Sequence, residues 1–219
     1  MASILKVDKI RGTGLDSDTM SFDTSGNITI PKNVTFSGTV SGDNVGAIVK
    51  LATFNITNVA EFIVNSTYIN STYDTYKFVY DLIAAGETAT LYNQAVVGGT
   101  VDTGSNYGFE CFPLDGGSTR VSDSTNVMCV HNKYNIGNGA GEGISGEFTL
   151  FNVNSTTRAA CISGHSTSFT TDPVPTHQVF GGAYKSTQRA KVLNGLKFFF
   201  DDGTHNIASG FVTIYGVVK

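Results

Sequence analysis

The stretch LKFFFDDGTHNIASGFVTIYGVV, residues 196–218, decides the fold class of this chain. Two apolar runs flank a polar turn at 201–203, where Asp-Asp-Gly supplies residue types that favour tight turns. Residues 198–200 are Phe at consecutive positions, so both faces of this strand need a cover of protein. The pattern predicts two antiparallel strands. It also predicts that the first strand lies between a sandwich interior and either a packed neighbour or an oligomer interface.

Short apolar runs separated by turn residues continue back to about residue 47. Only 15% of the residues are charged and 25 are Gly, which disfavours helices and favours strands joined by turns. Strands at this spacing are typical of two-sheet sandwiches. The sequence therefore predicts an all-β fold, a jelly-roll-like antiparallel β-sandwich over residues 47–219. The candidate strands are 49–54, 61–64, 75–83, 89–93, 107–112, 126–131, 146–153, 158–163, 177–184, 195–200 and 209–215.

Residues 1–46 have a different pattern, with very short apolar alternations between turn residues. Such strands bury too little area to be stable alone, so they need another surface. The sequence predicts an extended N-terminal β arm, in which a set of alternating apolar side chains packs against another surface, either its own domain or a neighbouring chain. This set is Ile28, Ile30, Val34 and Phe36. A second apolar set at the chain end predicts a docking peptide for another protein; it is Ile4, Leu5, Val7 and Ile10.

Charge and hydropathy exclude two classes of partner. The net charge is −4 and the basic residues form no cluster, whereas duplex nucleic acid is bound through clustered cations. No apolar run approaches the roughly 20 residues that span a bilayer, so the sequence predicts no membrane insertion. The cysteines at 111, 129 and 161 are widely spaced in strand-like stretches, which predicts buried free thiols.

The search for catalytic or metal-binding motifs yields only weak candidates. Cys129 and His131 alternate on one strand and so point the same way, but a buried thiol beside a hydrogen-bonded imidazole explains them as well. Asp201, Asp202 and His205 lie at a hairpin tip, where Asp is a common turn former. Paired carboxylates for polysaccharide cleavage would be Glu110 with Asp115, or Asp201 with Asp202. We predict no enzymatic activity, no catalytic residue, no metal and no cofactor.

Tyrosines beside Gly-rich loops offer a binding surface. Tyr107, Tyr134 and Tyr184 neighbour such loops, and amphipathic aromatic rings suit hydrated sugar-binding sites. The predicted end loops of the sandwich are 97–106, 115–124 and 135–146. The sequence predicts that the tyrosines contact a glycan; in the alternative interpretation each caps the sandwich edge with its hydroxyl in water.

Four segments carry a resemblance to a known family. SILKVDKIR at 3–11 and SFDTSGNITIP at 21–31 resemble the opening of virion appendage proteins of marine short-tailed bacteriophages. YDTYKFVY at 73–80 and ASGFVTIYGV at 208–217 resemble strands of a β-sandwich domain in phage fibres and in head or tail appendages. The resemblance implies a homotrimer on the exterior of the virion, attached to another virion protein through its N-terminal arm. In such a trimer we expect Ile28, Ile30, Val34 and Phe36 to face partner chains.

This resemblance leads to the expected function. The first expectation is a structural component of a bacteriophage particle, a trimeric tail fibre or fibre-like appendage that contributes to host attachment through a surface glycan. The alternative within the virion is a capsid decoration or head-fibre protein that stabilises the particle. The alternative from another class is a carbohydrate-binding or carbohydrate-active protein.

Overall fold

The chain divides into two compact units, Met1–Val45 and Gly46–Lys219. The boundary predicted from the sequence follows residue 46 and differs from this division by one residue. The computed structural model describes residues 9–10, 20–22, 24–25, 28–29, 48–87, 89–114, 119–131, 136–170, 175–188, 190–200 and 205–218.

The first unit contains a small antiparallel sheet of very short strands. These strands are β1 (Lys9–Ile10), β2 (Met20–Phe22) and β3 (Ile28–Thr29), paired in that order. Ile10 pairs with Met20, and Ile28 pairs with Phe22 and is 55% exposed. The remaining residues of the two predicted contact sets lie outside the described part of the chain. They are Ile4, Leu5, Val7, Ile30, Val34 and Phe36.

The second unit is built from strands in two antiparallel sheets, which confirms the all-β prediction. Its elements are β4 (Ile48–Val59), β5 (Glu61–Val64), β6 (Thr75–Ala84), β7 (Leu91–Val97), β8 (Thr100–Val101), β9 (Tyr107–Pro113), β10 (Arg120–Thr125), β11 (Met128–Cys129), β12 (Gly143–Phe151), β13 (Cys161–Phe169), β14 (Pro175–Tyr184), the 3₁₀ turn Ser186–Gln188, β15 (Gly195–Phe200) and β16 (Ile207–Val217). The larger sheet has eight strands in the order β10-β9-β14-β13-β12-β6-β16-β4. The smaller sheet has the order β11-β7-β15-β5, with β8 paired to β7.

The two sheets pack face to face through a cluster of aromatic rings. Phe198 on β15 is fully buried, and its ring centroid lies 5.8 Å from that of Phe78 on β6 and 6.0 Å from that of Phe148 on β12. Phe78 and Phe148 stack on each other at 4.9 Å. Because these rings come from both sheets, the core lies between them and the unit is a sandwich. The jelly-roll connectivity stays a prediction.

Phe199 has its cover within its own sheet. Phe198 and Phe200 face the core, while Phe199 points to the opposite face of the smaller sheet and is half-buried. The Tyr92 ring lies 6.0 Å away, and the Lys197 ammonium lies 4.5 Å above the Phe199 ring. Side chains of the same chain therefore supply part of the cover that three consecutive phenylalanines require.

The predicted end loops contain strands that the pattern analysis missed. All of β10 except Thr125 lies within the predicted loop 115–124, β8 lies within 97–106, and β12 begins at Gly143 within 135–146. β10 is the edge strand of the larger sheet and is largely exposed, so it has no apolar face to reveal its period. The prediction that these three segments are continuous loops is therefore wrong.

Candidate functional site

The prediction that Tyr107 and Tyr184 contact a glycan is wrong, because both rings belong to the core. Tyr107 is fully buried and Tyr184 is 3% exposed. Their rings stack on each other with centroids 4.7 Å apart, so neither ring face is open to a sugar. Their hydroxyls are not in open water either, which overturns the alternative interpretation as well. The third predicted contact, Tyr134, lies outside the described residues.

The tyrosine hydroxyls bind Asp102, in the segment between β8 and β9. The Tyr107 hydroxyl donates to the Asp102 carbonyl oxygen at 2.7 Å, and the Tyr184 hydroxyl donates to Oδ2 at 3.2 Å. Burial raises the pKa of Tyr107 to about 12. The Tyr107 phenol therefore stays protonated at physiological pH and can donate its hydrogen bond. Through these two hydroxyls the tyrosines connect the segment between β8 and β9 to the core.

The Asp102 carboxylate gathers further donors. The Gly104 amide donates to Oδ1 at 3.0 Å, and the Asn106 side-chain amide donates to both carboxylate oxygens at 2.9 and 3.1 Å. The Lys191 ammonium lies 3.7 Å from Oδ2. Burial by itself raises the pKa of the Asp102 carboxyl, but these donors and the lysine outweigh burial and hold the pKa below its usual range. The Asp102 carboxylate is therefore charged and hydrogen-bonded. We call these contacts the Asp102 latch, because they hold the segment between β8 and β9 against the core.

Replacing Asp102 with Ala is expected to lower the free energy of unfolding by about 2 kcal/mol, because the partly buried donors of Asn106 and Tyr184 lose their acceptor. Urea denaturation followed by circular dichroism measures the change. The matched control is Glu110→Ala on β9, which removes an exposed carboxylate and is expected to change stability by less than about 0.5 kcal/mol. Equal losses in the two variants would contradict the latch.

His131 and Cys129, the weak metal candidates, are already engaged in a buried polar network. His131 Nδ1 is hydrogen-bonded to Ser166 Oγ at 3.1 Å and contacts the Gln178 amide, and Nε2 is hydrogen-bonded to Ser168 Oγ at 2.7 Å. The Cys129 thiol donates to the His131 carbonyl oxygen at 3.2 Å. Burial lowers the pKa of His131 to about 3, so the ring is neutral at physiological pH. Both ring nitrogens are therefore engaged by polar side chains of β13 and β14.

The remaining chemical candidates are dispersed. Glu110 points outward from β9 and is exposed, whereas Asp115, Asp201 and Asp202 lie outside the described residues. Across the described ranges, no group of three or more His, Cys, Asp or Glu side chains is placed to hold a metal ion. Cys111 and Cys129 are buried free thiols as predicted, while Cys161 is free but only half-buried. Within the same ranges, no helix is long and apolar enough to cross a membrane.

The outer face of the larger sheet carries a groove that the sequence analysis did not identify. Its volume is about 730 Å³, and it crosses β9, β14 and β13. Cross-strand pairing places its outward side chains in rows: Phe112, Val179 and His165 form one row, and Glu110, Gly181 and Ser163 form the next. Gly108 on β9 and Ala183 on β14 line the far side.

The centre of this groove is Gly181, which has no side chain to fill it. Phe112 and Val179 stand beside it with 51% and 44% of their surface exposed. The sequence signal for the groove was HQVFGGAY at 177–184, a strand in which small residues occupy outward positions near its end. A single strand does not show what lies beside those small residues, because its neighbours in the sheet are distant in sequence.

Comparisons of the chain with protein-family models, with curated protein sequences and with solved structures found no match.

Proposed function

We propose that this chain is a structural component of a bacteriophage particle, a trimeric tail fibre or fibre-like appendage that contributes to host attachment. The observation that carries the proposal is the separate unit Met1–Val45, whose described strands are two or three residues long. Strands of this length are not stable alone in water, and Ile28 on the last of them is largely exposed. Partner chains in a trimer and a second virion protein would supply the missing contacts.

The resemblance to phage appendage proteins supports the same proposal. Two of its four segments, YDTYKFVY and ASGFVTIYGV, form most of β6 and β16. These strands pair over their whole length in the larger sheet, with Thr75 opposite Val217 and Ala84 opposite Ile207. The resembling segments are thus neighbours in space, as expected if they are parts of one shared domain.

The attachment role predicts that the apolar set at the chain end is needed for loading onto particles. Changing Ile4, Leu5 and Val7 together to Ser removes three apolar side chains and leaves the sequence of β1 unchanged. We expect the amount of this protein on purified particles to fall at least about tenfold, because a docking peptide binds its partner by burying apolar surface. Quantitative mass spectrometry of particles assembled with the variant chain measures the loss.

The matched control changes the interleaved polar residues of the same segment, Ser3, Lys6 and Asp8, to Ala. This variant is expected to load normally. Sedimentation of both free proteins checks that each remains a trimer. A stable monomer in the unaltered protein, or normal loading of the serine variant, contradicts the proposal.

The capsid-decoration alternative differs in where the protein lies on the particle. Cryo-electron microscopy of intact particles, with and without the chain, locates the additional density at the tail, at a vertex or on the capsid faces. Density at the tail supports the fibre, and density spread over the capsid faces supports decoration. Loss of the chain should reduce adsorption to host cells in the first case and particle stability in the second.

A further inference from the structure

We propose that the groove on the outer face of the larger sheet binds a neutral polysaccharide chain. The site is the depression around Gly181, between Phe112, Val179, Glu110, Ser163 and His165. The described lining of the groove lies in the unit Gly46–Lys219. Only the source of the glycan, a host surface, rests on the proposed function.

The shape of the groove comes from the missing side chain at its centre. A Cβ built on Gly181 meets nothing closer than the Ile162 carbonyl oxygen at 3.6 Å, so the backbone there does not require glycine. Glycine inside a strand weakens it and often marks close approach of a ligand or another chain. The floor is therefore open although the fold would accept a larger residue.

The polar groups on the groove wall are free to bind a ligand. In the described part of the chain, Glu110, Ser163 and His165 form no hydrogen bond or ion pair with protein. Together they offer a carboxylate acceptor, a hydroxyl and an imidazole, while sugar hydroxyls both donate and accept hydrogen bonds. Register places Glu110 and Ser163 on opposite sides of Gly181 in one row. A sugar unit over Gly181 would have polar groups on both sides.

The apolar part of the groove complements the C–H face of a sugar ring. Phe112 and Val179 are direct cross-strand neighbours, and both are largely exposed. Exposed aromatic and aliphatic side chains beside polar groups are typical of ligand grooves. An extended chain of rings fits an open groove that crosses strands better than a compact ligand, which would need walls on all sides.

Charge selects among the ligands and argues against a protein occupant. Glu110 supplies an acidic group, and the described residues of the lining include no Lys or Arg. An anionic glycan would therefore meet a like charge, so a neutral chain is favoured. An apolar protein surface would bury the Glu110 carboxylate without a partner, which costs free energy. A hydrated glycan leaves that carboxylate its hydrogen bonds.

The direct test measures binding of the full chain to immobilised neutral tetrasaccharides, namely cello-, mannan-, laminarin- and chitin-derived oligomers. Alginate and polygalacturonate oligomers of the same length serve as acidic probes. We expect binding to at least one neutral probe, with at least about tenfold weaker binding to the acidic probes. Absence of binding to every neutral probe overturns the proposal.

Three variants locate the binding. A Cβ at position 181 makes only an ordinary van der Waals contact, so Gly181→Val is expected to fill the floor and to weaken binding at least about tenfold. Phe112→Ala removes an exposed ring and is expected to weaken it about fivefold. The control Thr57→Val exchanges an exposed hydroxyl for a methyl group on the opposite edge strand, β4, and is expected to change binding by less than about twofold.

Each other outcome overturns the groove assignment. Unchanged binding by Gly181→Val places any glycan site elsewhere. A change in sedimentation by Gly181→Val, with the fold intact by circular dichroism, identifies the groove as a contact between copies. Because binding is measured on the isolated protein, the outcome is independent of the proposed function. If the chain binds neutral glycan but is absent from particles, the groove proposal stands and the appendage proposal is wrong. If the chain is present on particles but binds no neutral glycan, only the groove proposal is wrong.

Discussion

Replacing Phe198 with Ala is expected to lower the free energy of unfolding by about 4 kcal/mol, the largest effect of any change considered for this chain. The ring is fully buried and lies between the two sheets. Its centroid is within 6.5 Å of four other aromatic rings, those of Phe62, Phe78, Tyr80 and Phe148. Removing it leaves a cavity at the centre of the sandwich, because strands held in hydrogen-bonded sheets cannot collapse into the space.

The neighbouring Phe199→Ala variant is the matched control for this prediction. Phe199 is on the same strand, but it points away from the core and is half-buried. Its loss is expected to cost about 1 kcal/mol, mainly through contacts with Tyr92 and the Lys197 ammonium. Guanidinium denaturation followed by tyrosine fluorescence measures both variants. Equal costs would mean that both faces of β15 are equally covered, as in an oligomer interface.

Acidification is expected to destabilise the sandwich through His131. Burial lowers the pKa of this ring to about 3 in the folded chain, whereas an unfolded histidine titrates near 6.5. Between these values the unfolded chain takes up a proton that the folded chain does not. The stabilisation by a neutral His131 is therefore complete above about pH 6.5 and decreases as the pH falls towards 3. At pH 4 the loss from this group is about 3 kcal/mol.

The effect of His131 is isolated by comparing pH profiles of variants. His131→Gln cannot titrate, so its free energy of unfolding is expected to fall by about 3 kcal/mol less than that of the native chain between pH 7.5 and 4. His165→Gln, which removes an exposed imidazole, serves as the control and is expected to follow the native profile. Parallel profiles for the native chain and His131→Gln would show that the buried network does not resist protonation.

Much of the strand content could be predicted because local patterns report it. The strands at 61–64 and 195–200 have the bounds predicted from the sequence, and the bounds of most other strands differ from the predicted ones by a few residues. β10 was missed because an exposed edge strand has no apolar face. β12 begins earlier and β13 ends later than predicted, because those ends are rich in Gly, Ser and Thr, which are also common in loops.

The candidate sites were much less predictable than the strands. Tyr107 and Tyr184 border glycine-rich segments in the sequence, and that proximity suggested exposure. In the fold, their rings face inward and stack across the pair of strands β9 and β14. The position of a ring relative to the core depends on which face its strand turns inward, and a tyrosine suits either a dry or a wet environment.

The sequence by itself determined the fold class and the division into a short-strand segment and a β domain, because period-two alternation and turn residues are local properties of the chain. Only the tertiary structure decided which strands are neighbours and which side chains therefore share a surface. Glu110, Gly181 and Ser163 form one row of the groove although they are far apart in the sequence. Strand order and register bring them together, and these depend on hydrogen bonds between strands that are distant along the chain.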